Sequence, residues 1–133
     1  MITDPESGVE EARAYPMLPC VLEWEGRRTP QTEGLLDSGA DSVVLPLEVA
    51  KYLGLMLKEG EESMKVVGRE VPRYSAKVNL IIGRAGRYWT FPDVEVAIPM
   101  EGDTPIIIGR DPVFKVYKVT FDELSGRFIL EPH

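Results

Sequence analysis

The sequence predicts a mostly β domain, closed as a small barrel or sandwich, with one or two short helices. Short runs of β-branched and other apolar residues recur along the chain, and turns that contain glycine separate them. Residues 76–82 alternate apolar and polar side chains, as a half-buried strand does. Residues 105–109 contain three consecutive isoleucines, which is typical of a strand buried on both faces.

Composition limits the protein to one domain and to a few classes of function. The chain has 133 residues, of which 44% are hydrophobic, so it can form one core but hardly two. Its 22 acidic and 15 basic residues give a net charge of -7, which argues against nucleic acid as a partner because phosphates would be repelled. No apolar run reaches the roughly 18 residues of a membrane span, and the first residues lack the pattern of a signal peptide. We therefore expect a cytoplasmic protein that does not enter membranes.

Cysteine and histidine are too scarce for several kinds of site. Cys20 is the single cysteine, and His133 is the single histidine. An internal disulfide is therefore impossible, and thiol–imidazole catalysis and histidine-based metal sites are poorly supported. We expect Cys20 to be a buried free thiol, and we expect neither a metal nor a cofactor.

The first residues differ in composition from the rest of the chain. Residues 1–14 are acidic or small and polar, without an apolar period, so they cannot bury enough surface to offset the entropy lost on ordering. The sequence therefore predicts a flexible N-terminal arm over residues 1–14 and a single domain over residues 15–133.

The predicted elements follow in order from there. A helix is expected at 47–53, ending at Gly54, and a hairpin at 64–72 with its tip near Gly68. The polar residues 58–63 are expected to form a connecting segment. The other predicted strands are residues 18–24, 32–36, 42–45, 76–82, 88–91, 94–98, 105–109, 116–121 and 127–130.

The most distinctive stretch is residues 35–41, Leu-Leu-Asp-Ser-Gly-Ala-Asp, a turn that directly follows an apolar run. Ser38 and Gly39 follow Asp37, so nearby N–H and O–H groups can hold its carboxylate and other backbone can approach closely. Such a carboxylate suits general acid or base chemistry. The same three residues are also those of an ordinary Asp-Ser-Gly turn in a hairpin.

Further motifs along the chain favour the chemical interpretation. Residues 35–41 are followed by the hairpin near Gly68 and then by residues 105–111, Pro-Ile-Ile-Ile-Gly-Arg-Asp. This ordered set resembles the retropepsin-like aspartic proteases, the family of retroviral proteases and their stand-alone prokaryotic relatives. The resemblance spans about residues 18–130 and implies a closed small β-barrel of the acid-protease type.

The resemblance implies that Asp37 is the catalytic aspartate and that it works with Asp37 of a second chain. Members of the family carry one Asp-Ser/Thr-Gly-Ala loop per chain, and the two loops of a symmetric dimer meet. Two carboxylates about 3 Å apart share one proton, so one can activate water while the other hydrogen-bonds the scissile carbonyl. The implied function is a homodimeric aspartic endopeptidase that acts on peptides or unfolded proteins, works best below neutral pH and uses no cofactor.

The same resemblance implies roles for neighbouring residues. Ser38 would hydrogen-bond across the dimer, and Gly39 would leave room for the substrate backbone. The residues implied to bind substrate are Ala40, Asp41, Val67 and Gly68. The residues implied to support the site are Ile108, Gly109 and Arg110, the last through an ion pair with Asp41. The hairpin tip departs from the glycine-rich retroviral flap because charged residues and a proline follow Gly68.

Other interpretations remain open on the sequence. The chain could be a catalytically silent module of the same fold that binds peptides or dimerises, which the charged hairpin tip favours. It could also be a monomeric β-rich interaction domain unrelated to proteases. Asp111 could simply cap a short helix. A hard-cation site formed by Asp37, Asp41 and Asp111 would lack the regular ligand spacing of a calcium loop.

Overall fold

The computed structural model describes residues 16–66 and 68–133 of the chain. The predicted arm at residues 1–14 and the predicted substrate-binding residue Val67 lie outside the described residues. The strands are β1 Met17–Trp24, β2 Arg27–Arg28, β3 Thr32–Leu36, β4 Val43–Val44, β5 Lys58–Val66, β6 Arg69–Arg84, β7 Arg87–Pro99, β8 Ile107–Ile108, β9 Tyr117–Asp122 and β10 Arg127–Pro132. Helix α1 is Leu47–Leu53, and a short helical turn spans Arg110–Phe114.

Six strands close into a barrel, so the predicted barrel is confirmed. Going round it, β1 pairs with β3, β3 with β8, β8 with β4, β4 with β7, β7 with β6, and β6 again with β1. The β3–β8 and β4–β7 pairs are parallel, and the others are antiparallel. The two remaining strands of this sheet, β2 and β5, extend it beyond the closed ring.

The core is built from every second side chain along the strands. Leu18, Cys20 and Leu22 of β1 are buried, whereas the residues that alternate with them are only partly buried. The same alternation buries Val78 and Leu80 on β6 completely. Each strand therefore has one face directed into the barrel, as the alternating sequence predicts.

Helix α1 has the predicted bounds. Pro46 precedes it in an extended conformation, and Gly54 ends it in the left-handed region at φ +68°. The Gly54 N–H donates to the Lys51 carbonyl at 3.1 Å, which satisfies one of the free carbonyls at the end of the helix. Ala50 and Leu53 are buried and fix the helix against the core.

The prediction of a connecting segment at residues 58–63 is wrong, because these residues belong to strand β5. Lys58 pairs with Ser75 and Glu59 with Tyr74, and the register shifts before Ser63 pairs with Pro72. Their polar side chains suit an edge strand, which needs few buried residues. Backbone hydrogen bonds from β6 therefore decide the structure of this segment, and side-chain patterning does not.

The two strands predicted at 88–91 and 94–98 form one continuous strand, β7. Pro92 and Asp93 stand at an irregularity in its pairing with β6, where the register shifts between Val78 and Leu80. Asp93 has φ +51°, and its N–H donates to Oδ1 of Asn79 at 3.0 Å. The Asn79 side chain thus provides an acceptor at the irregularity, so the strand continues past the proline.

Strand β8 is shorter than the sequence predicts. The predicted strand at 105–109 is reduced to Ile107 and Ile108, and Ile107 is only half-buried. Strands β9 and β10 form the predicted last hairpin, but they make a two-stranded sheet of their own and do not join the barrel.

Within the described part of the chain, no helix is long and apolar enough to span a membrane.

Cys20 is the buried free thiol that the sequence predicts. Burial, with a smaller contribution from the charge of Glu33, raises the pKa of the thiol from 9.0 to about 12. The folded protein therefore keeps this proton at a pH where the unfolded chain loses it.

This difference predicts a loss of stability in alkali. As the pH rises above about 9, the unfolded thiol ionises and the folded thiol does not, so the free energy of unfolding falls until the pH nears 12. Cys20→Ala removes this dependence, which amounts to at most about 1.4 kcal/mol per pH unit. Urea unfolding of both proteins at about pH 8 and about pH 10.5 measures it. Equal losses in the two proteins would contradict it.

Candidate active site

Asp37 begins the loop that follows strand β3. Its N–H donates to the Ile108 carbonyl at 3.0 Å, and the Leu35 N–H donates to the Ile106 carbonyl at 2.8 Å. Leu36, the residue before Asp37, pairs in parallel with Ile108. The backbone of the aspartate is therefore fixed by strand β8, which comes from the far end of the sequence.

Hydrogen bonds inside the loop also hold the aspartate. The Gly39 N–H donates to Oδ1 of Asp37 at 2.8 Å, and the Ala40 N–H donates to the Asp37 carbonyl at 3.1 Å. Asp37 is half-buried, whereas Ser38 and Gly39 are exposed. The carboxylate thus has a fixed orientation in a loop that reaches the protein surface, which is the arrangement that a reacting carboxylate needs.

A row of backbone hydrogen bonds joins the two sequence motifs. The Gly109 N–H donates to the Ser42 carbonyl at 3.1 Å, and the Arg110 N–H donates to the Ala40 carbonyl at 2.9 Å. The Asp111 N–H donates to the Asp41 carbonyl at 3.0 Å. We call this set, residues 109–111 on residues 40–42, the backbone clamp.

The clamp requires glycine at position 109. A Cβ atom on Gly109 would lie 2.4 Å from the Ser42 carbonyl oxygen and 2.5 Å from the Ala40 carbonyl oxygen. Gly34 has a similar role on β3, because a Cβ there would lie 2.6 Å from Cδ1 of Ile108. Both glycines permit the close approach of residues 106–111 to the segment that carries Asp37.

The ion pair between Arg110 and Asp41 is present, as the sequence predicts. The Arg110 guanidinium donates a hydrogen bond to Oδ1 of Asp41. The two side chains are 56% and 87% exposed, so the pair contributes at most about 1 kcal/mol to stability. It lies on the surface beside the backbone clamp, where it can hold the outer part of the loop.

Asp111 does not cap the helical turn. Gly109 precedes the turn, no side-chain cap is present, and the Asp111 carboxylate accepts a hydrogen bond from Lys115 at 3.3 Å. The hard-cation interpretation gains no support, because Asp41 pairs with Arg110 and Asp111 with Lys115.

The β5–β6 hairpin contains the last predicted substrate-binding residue that is described, Gly68. Gly68 is exposed at the turn, with φ +79°. Arg69 next to it forms an ion pair with Glu101 at 2.6 Å, and the Met100 N–H donates to the Pro72 carbonyl at 2.9 Å. The hairpin is thereby connected to the segment between β7 and β8 that leads to the backbone clamp.

Sequence reasoning missed some of the residues that build the site. The carbonyls of Ala40 and Ser42 accept the bonds of the backbone clamp, and any residue type offers a carbonyl. Gly34 was detectable, because a glycine inside a strand often marks a close approach of other chain. The pairing of Arg69 with Glu101 had no signal in the sequence.

Comparisons with known proteins agree with this geometry. Residues 22–111, more than half of the chain, match the family model described as aspartyl protease. No curated protein matches the sequence significantly.

Two solved structures show the same fold. The EIAV protease complexed with the inhibitor HBY-793 is 21% identical, has a TM-score of 0.53, and aligns over 76% of this chain and 86% of its own. A retropepsin-like aspartic protease from Rickettsia conorii is 17% identical, has a TM-score of 0.58, and aligns over 75% of this chain and 73% of its own. The predicted similarity to retropepsins is confirmed at the level of fold.

The clamp geometry predicts the effect of adding one methyl group. Gly109→Ala forces a Cβ into two carbonyl oxygens, so we expect the free energy of unfolding to fall by about 3 kcal/mol. Gly86→Ala is the matched control, since its Cβ meets open space and the cost is the strain of φ +83°, about 1 kcal/mol. Chemical unfolding of both variants measures the difference. An equal or smaller loss for Gly109→Ala would contradict the clamp.

Proposed function

Because this chain belongs to the aspartyl protease family, we propose that it is an aspartic endopeptidase whose reactive carboxylate is that of Asp37. The observation that carries the proposal is the double support of Asp37, by its own loop and by the backbone of β8. A carboxylate held in this way is preorganised, so little reorganisation is needed when charge develops during the reaction.

The proposed reaction requires a second copy of the chain. The motif Asp-Ser-Gly occurs once in the 133 residues, so one chain supplies one carboxylate of a pair. In a symmetric dimer the contact is isologous, and the two Asp37 loops would meet on the two-fold axis. Two carboxylates about 3 Å apart cannot both ionise, so they hold one proton between them.

The chemical steps follow from this shared proton. The ionised Asp37 removes a proton from a water molecule, and the water oxygen bonds to the carbonyl carbon of the peptide. The protonated Asp37 of the partner subunit donates to the carbonyl oxygen and stabilises the tetrahedral intermediate. When the C–N bond breaks, the Asp37 that took the proton from water gives it to the amide nitrogen, which leaves as an amine. The Asp37 of the partner subunit regains its proton from a hydroxyl of the intermediate, which becomes the carboxylic acid product. The reaction forms no covalent intermediate with the protein.

The neighbouring residues would position the carboxylate and the substrate. Ser38 would hydrogen-bond across the dimer, and Arg110 would hold Asp41 at the edge of the loop. The substrate would lie extended beneath the β5–β6 hairpin, bound by main-chain hydrogen bonds, with side-chain pockets that select its sequence. Ala40, Asp41 and Gly68 would border this path.

A substitution of Asp37 tests the mechanism directly. Asp37→Asn removes the ionisable group, so we expect kcat/KM on unstructured peptides to fall at least about a thousandfold between about pH 3 and about pH 7. Asp103→Asn is the matched control, because Asp103 is exposed and lies outside the backbone clamp. Turnover by Asp37→Asn at the wild-type rate would contradict the mechanism. Peptide binding without turnover by the wild type would favour the silent module instead.

A substitution of Arg110 separates its positioning role from its contribution to stability. Arg110→Lys keeps the charge and loses the planar guanidinium, so we expect kcat to fall about tenfold while the free energy of unfolding changes by less than about 1 kcal/mol. Arg28→Lys is the control, since Arg28 forms an exposed ion pair with Glu23 at 3.0 Å. Steady-state kinetics and urea unfolding of both variants provide the comparison. Similar kinetics in the two variants would rule out the positioning role.

A further inference from the structure

A shallow groove lies on the outer face of strand β1. Among the described residues, β1 pairs with β6 from Cys20 to Glu23 alone, so the tip of the β6–β7 hairpin parts from β1 beside Met17 and Pro19. The space between them has a volume of about 780 Å³, which is enough for several side chains of a ligand. The residues that line it include Met17, Pro19, Thr32, Glu33, Arg84 and Tyr88.

The hairpin tip that forms one wall of the groove is held in place. Gln31 Nε2 donates to the Gly83 carbonyl at 3.3 Å, which connects the tip to the start of β3. Gly83 has φ +116°, and a Cβ there would collide with the carbonyl oxygen of Arg87. Ala85, in the turn, has φ +55°, a conformation that strains a residue with a Cβ. The wall is therefore formed before a ligand arrives, and it keeps a strained residue at its tip.

Two arginines lie together at this tip without a carboxylate. Arg84 lines the groove, and Arg87 lies directly opposite it in the register of β6 and β7. Both are exposed, and within the described part of the chain neither side chain has a hydrogen-bond or ion-pair partner. Like charges directly opposite on adjacent strands destabilise a hairpin. A chain with 22 acidic residues nevertheless keeps two cations side by side here, which favours an anionic ligand.

The rest of the groove selects the kind of anion. Guanidinium groups bind carboxylates through paired hydrogen bonds. The Tyr88 ring is 54% exposed, and Met17 and Pro19 are only half-buried, so apolar groups of the ligand would cover them. Glu33 also lines the groove and repels carboxylates, so the acidic part of the ligand has to lie on the arginine side. An extended peptide with acidic and apolar residues meets these conditions.

We propose that this groove binds an acidic and apolar segment of a protein substrate, outside the segment that Asp37 would cleave. The proposal rests on the proposed function, because a peptidase has to hold a polypeptide. Thr32 begins strand β3 and Asp37 follows its end, so the groove and the carboxylate are about 16 Å apart along the strand. A substrate bound at both places therefore needs at least about five residues between them.

A binding measurement tests the groove without catalysis. The probe is a short fluorescein-labelled peptide of glutamate, leucine, tyrosine and glycine, and its control has glutamine in place of every glutamate. We expect Asp37→Asn to bind the acidic peptide at least about tenfold more tightly than the control peptide at low salt. Fluorescence anisotropy measures both dissociation constants. Equal binding of the two peptides would overturn the proposal.

Two double variants locate the binding. Arg84→Gln with Arg87→Gln should reduce the affinity for the acidic peptide to that for the control peptide. Lys51→Gln with Lys77→Gln is the matched control, because it removes two exposed positive charges that do not line the groove. The arginine variant also loses the repulsion at the tip, so it should unfold at the same urea concentration as its parent or at a higher one. Equal affinities of the two double variants for the acidic peptide would contradict the assignment of the groove.

Kinetic measurements connect the groove with cleavage. The acidic segment is joined to a cleavable peptide through a Gly-Ser linker of about two or about eight residues, and only the longer linker can span the distance to Asp37. We expect the longer linker to lower KM about tenfold with kcat unchanged, because docking adds equal binding to the ground and transition states. Arg84→Gln with Arg87→Gln should abolish this effect. An equal KM for the two linkers would rule out the docking role.

The binding assay also identifies rival occupants. Tighter binding of a single-stranded oligonucleotide than of the acidic peptide would assign the groove to nucleic acid and overturn the proposal. The chain has acidic residues of its own before Met17, and Glu10→Gln with Glu11→Gln tests them. Binding of the acidic peptide by that variant, and not by the chain that keeps Glu10 and Glu11, would assign the groove to residues 1–14 and overturn the proposal.

Failure of the docking site and failure of the proposed function give different results. Cleavage that depends on Asp37, with a KM that the acidic segment does not change, overturns the docking site and leaves the mechanism intact. Arginine-dependent binding of the acidic peptide, together with wild-type turnover by Asp37→Asn, supports the docking site and overturns the mechanism.

Discussion

The parallel pairing of β3 with β8, extended by the backbone clamp, is the contact on which the site depends. It joins segments more than sixty residues apart in the chain, and it uses N–H and carbonyl groups almost exclusively. The loop can take few other positions without breaking several of these backbone hydrogen bonds at once. Asp37 is held because its neighbours have to satisfy their hydrogen bonds.

The ion pairs near the site contribute less to stability than these backbone contacts do. The pair between Arg110 and Asp41 is highly exposed, as is the pair between Arg69 and Glu101, and exposed ion pairs contribute little to stability. The two glycines allow a close approach: a Cβ at position 109 would collide with backbone carbonyls, and a Cβ at position 34 would collide with the side chain of Ile108. Steric fit and backbone hydrogen bonds therefore build the loop, and the ion pairs adjust its outer edge.

The barrel and the C-terminal hairpin differ in their open sheet edges. Six strands close on themselves, so that among the described strands of this sheet only β2 and β5 lie outside the ring. The two-stranded sheet of β9 and β10 carries exposed apolar side chains, including Ile129 and Phe121.

The sequence by itself determined the alternating strands, the bounds of α1, the burial of Cys20 and the two motifs around Asp37 and Gly109. These features depend on local patterns, such as the period of two in a strand or the special conformations of glycine and proline, that the order of residues reveals directly. Only the tertiary structure decided that residues 58–63 form a strand, that β7 continues past Pro92, and that the strands of the last hairpin do not pair with the barrel. The physical reason is the same in the first two cases: the partner that satisfies the backbone lies far away in the chain, on β6 for residues 58–63 and at Asn79 for Asp93. Carbonyl and N–H groups are common to all residues, so their pairing across long distances leaves no trace in the local pattern.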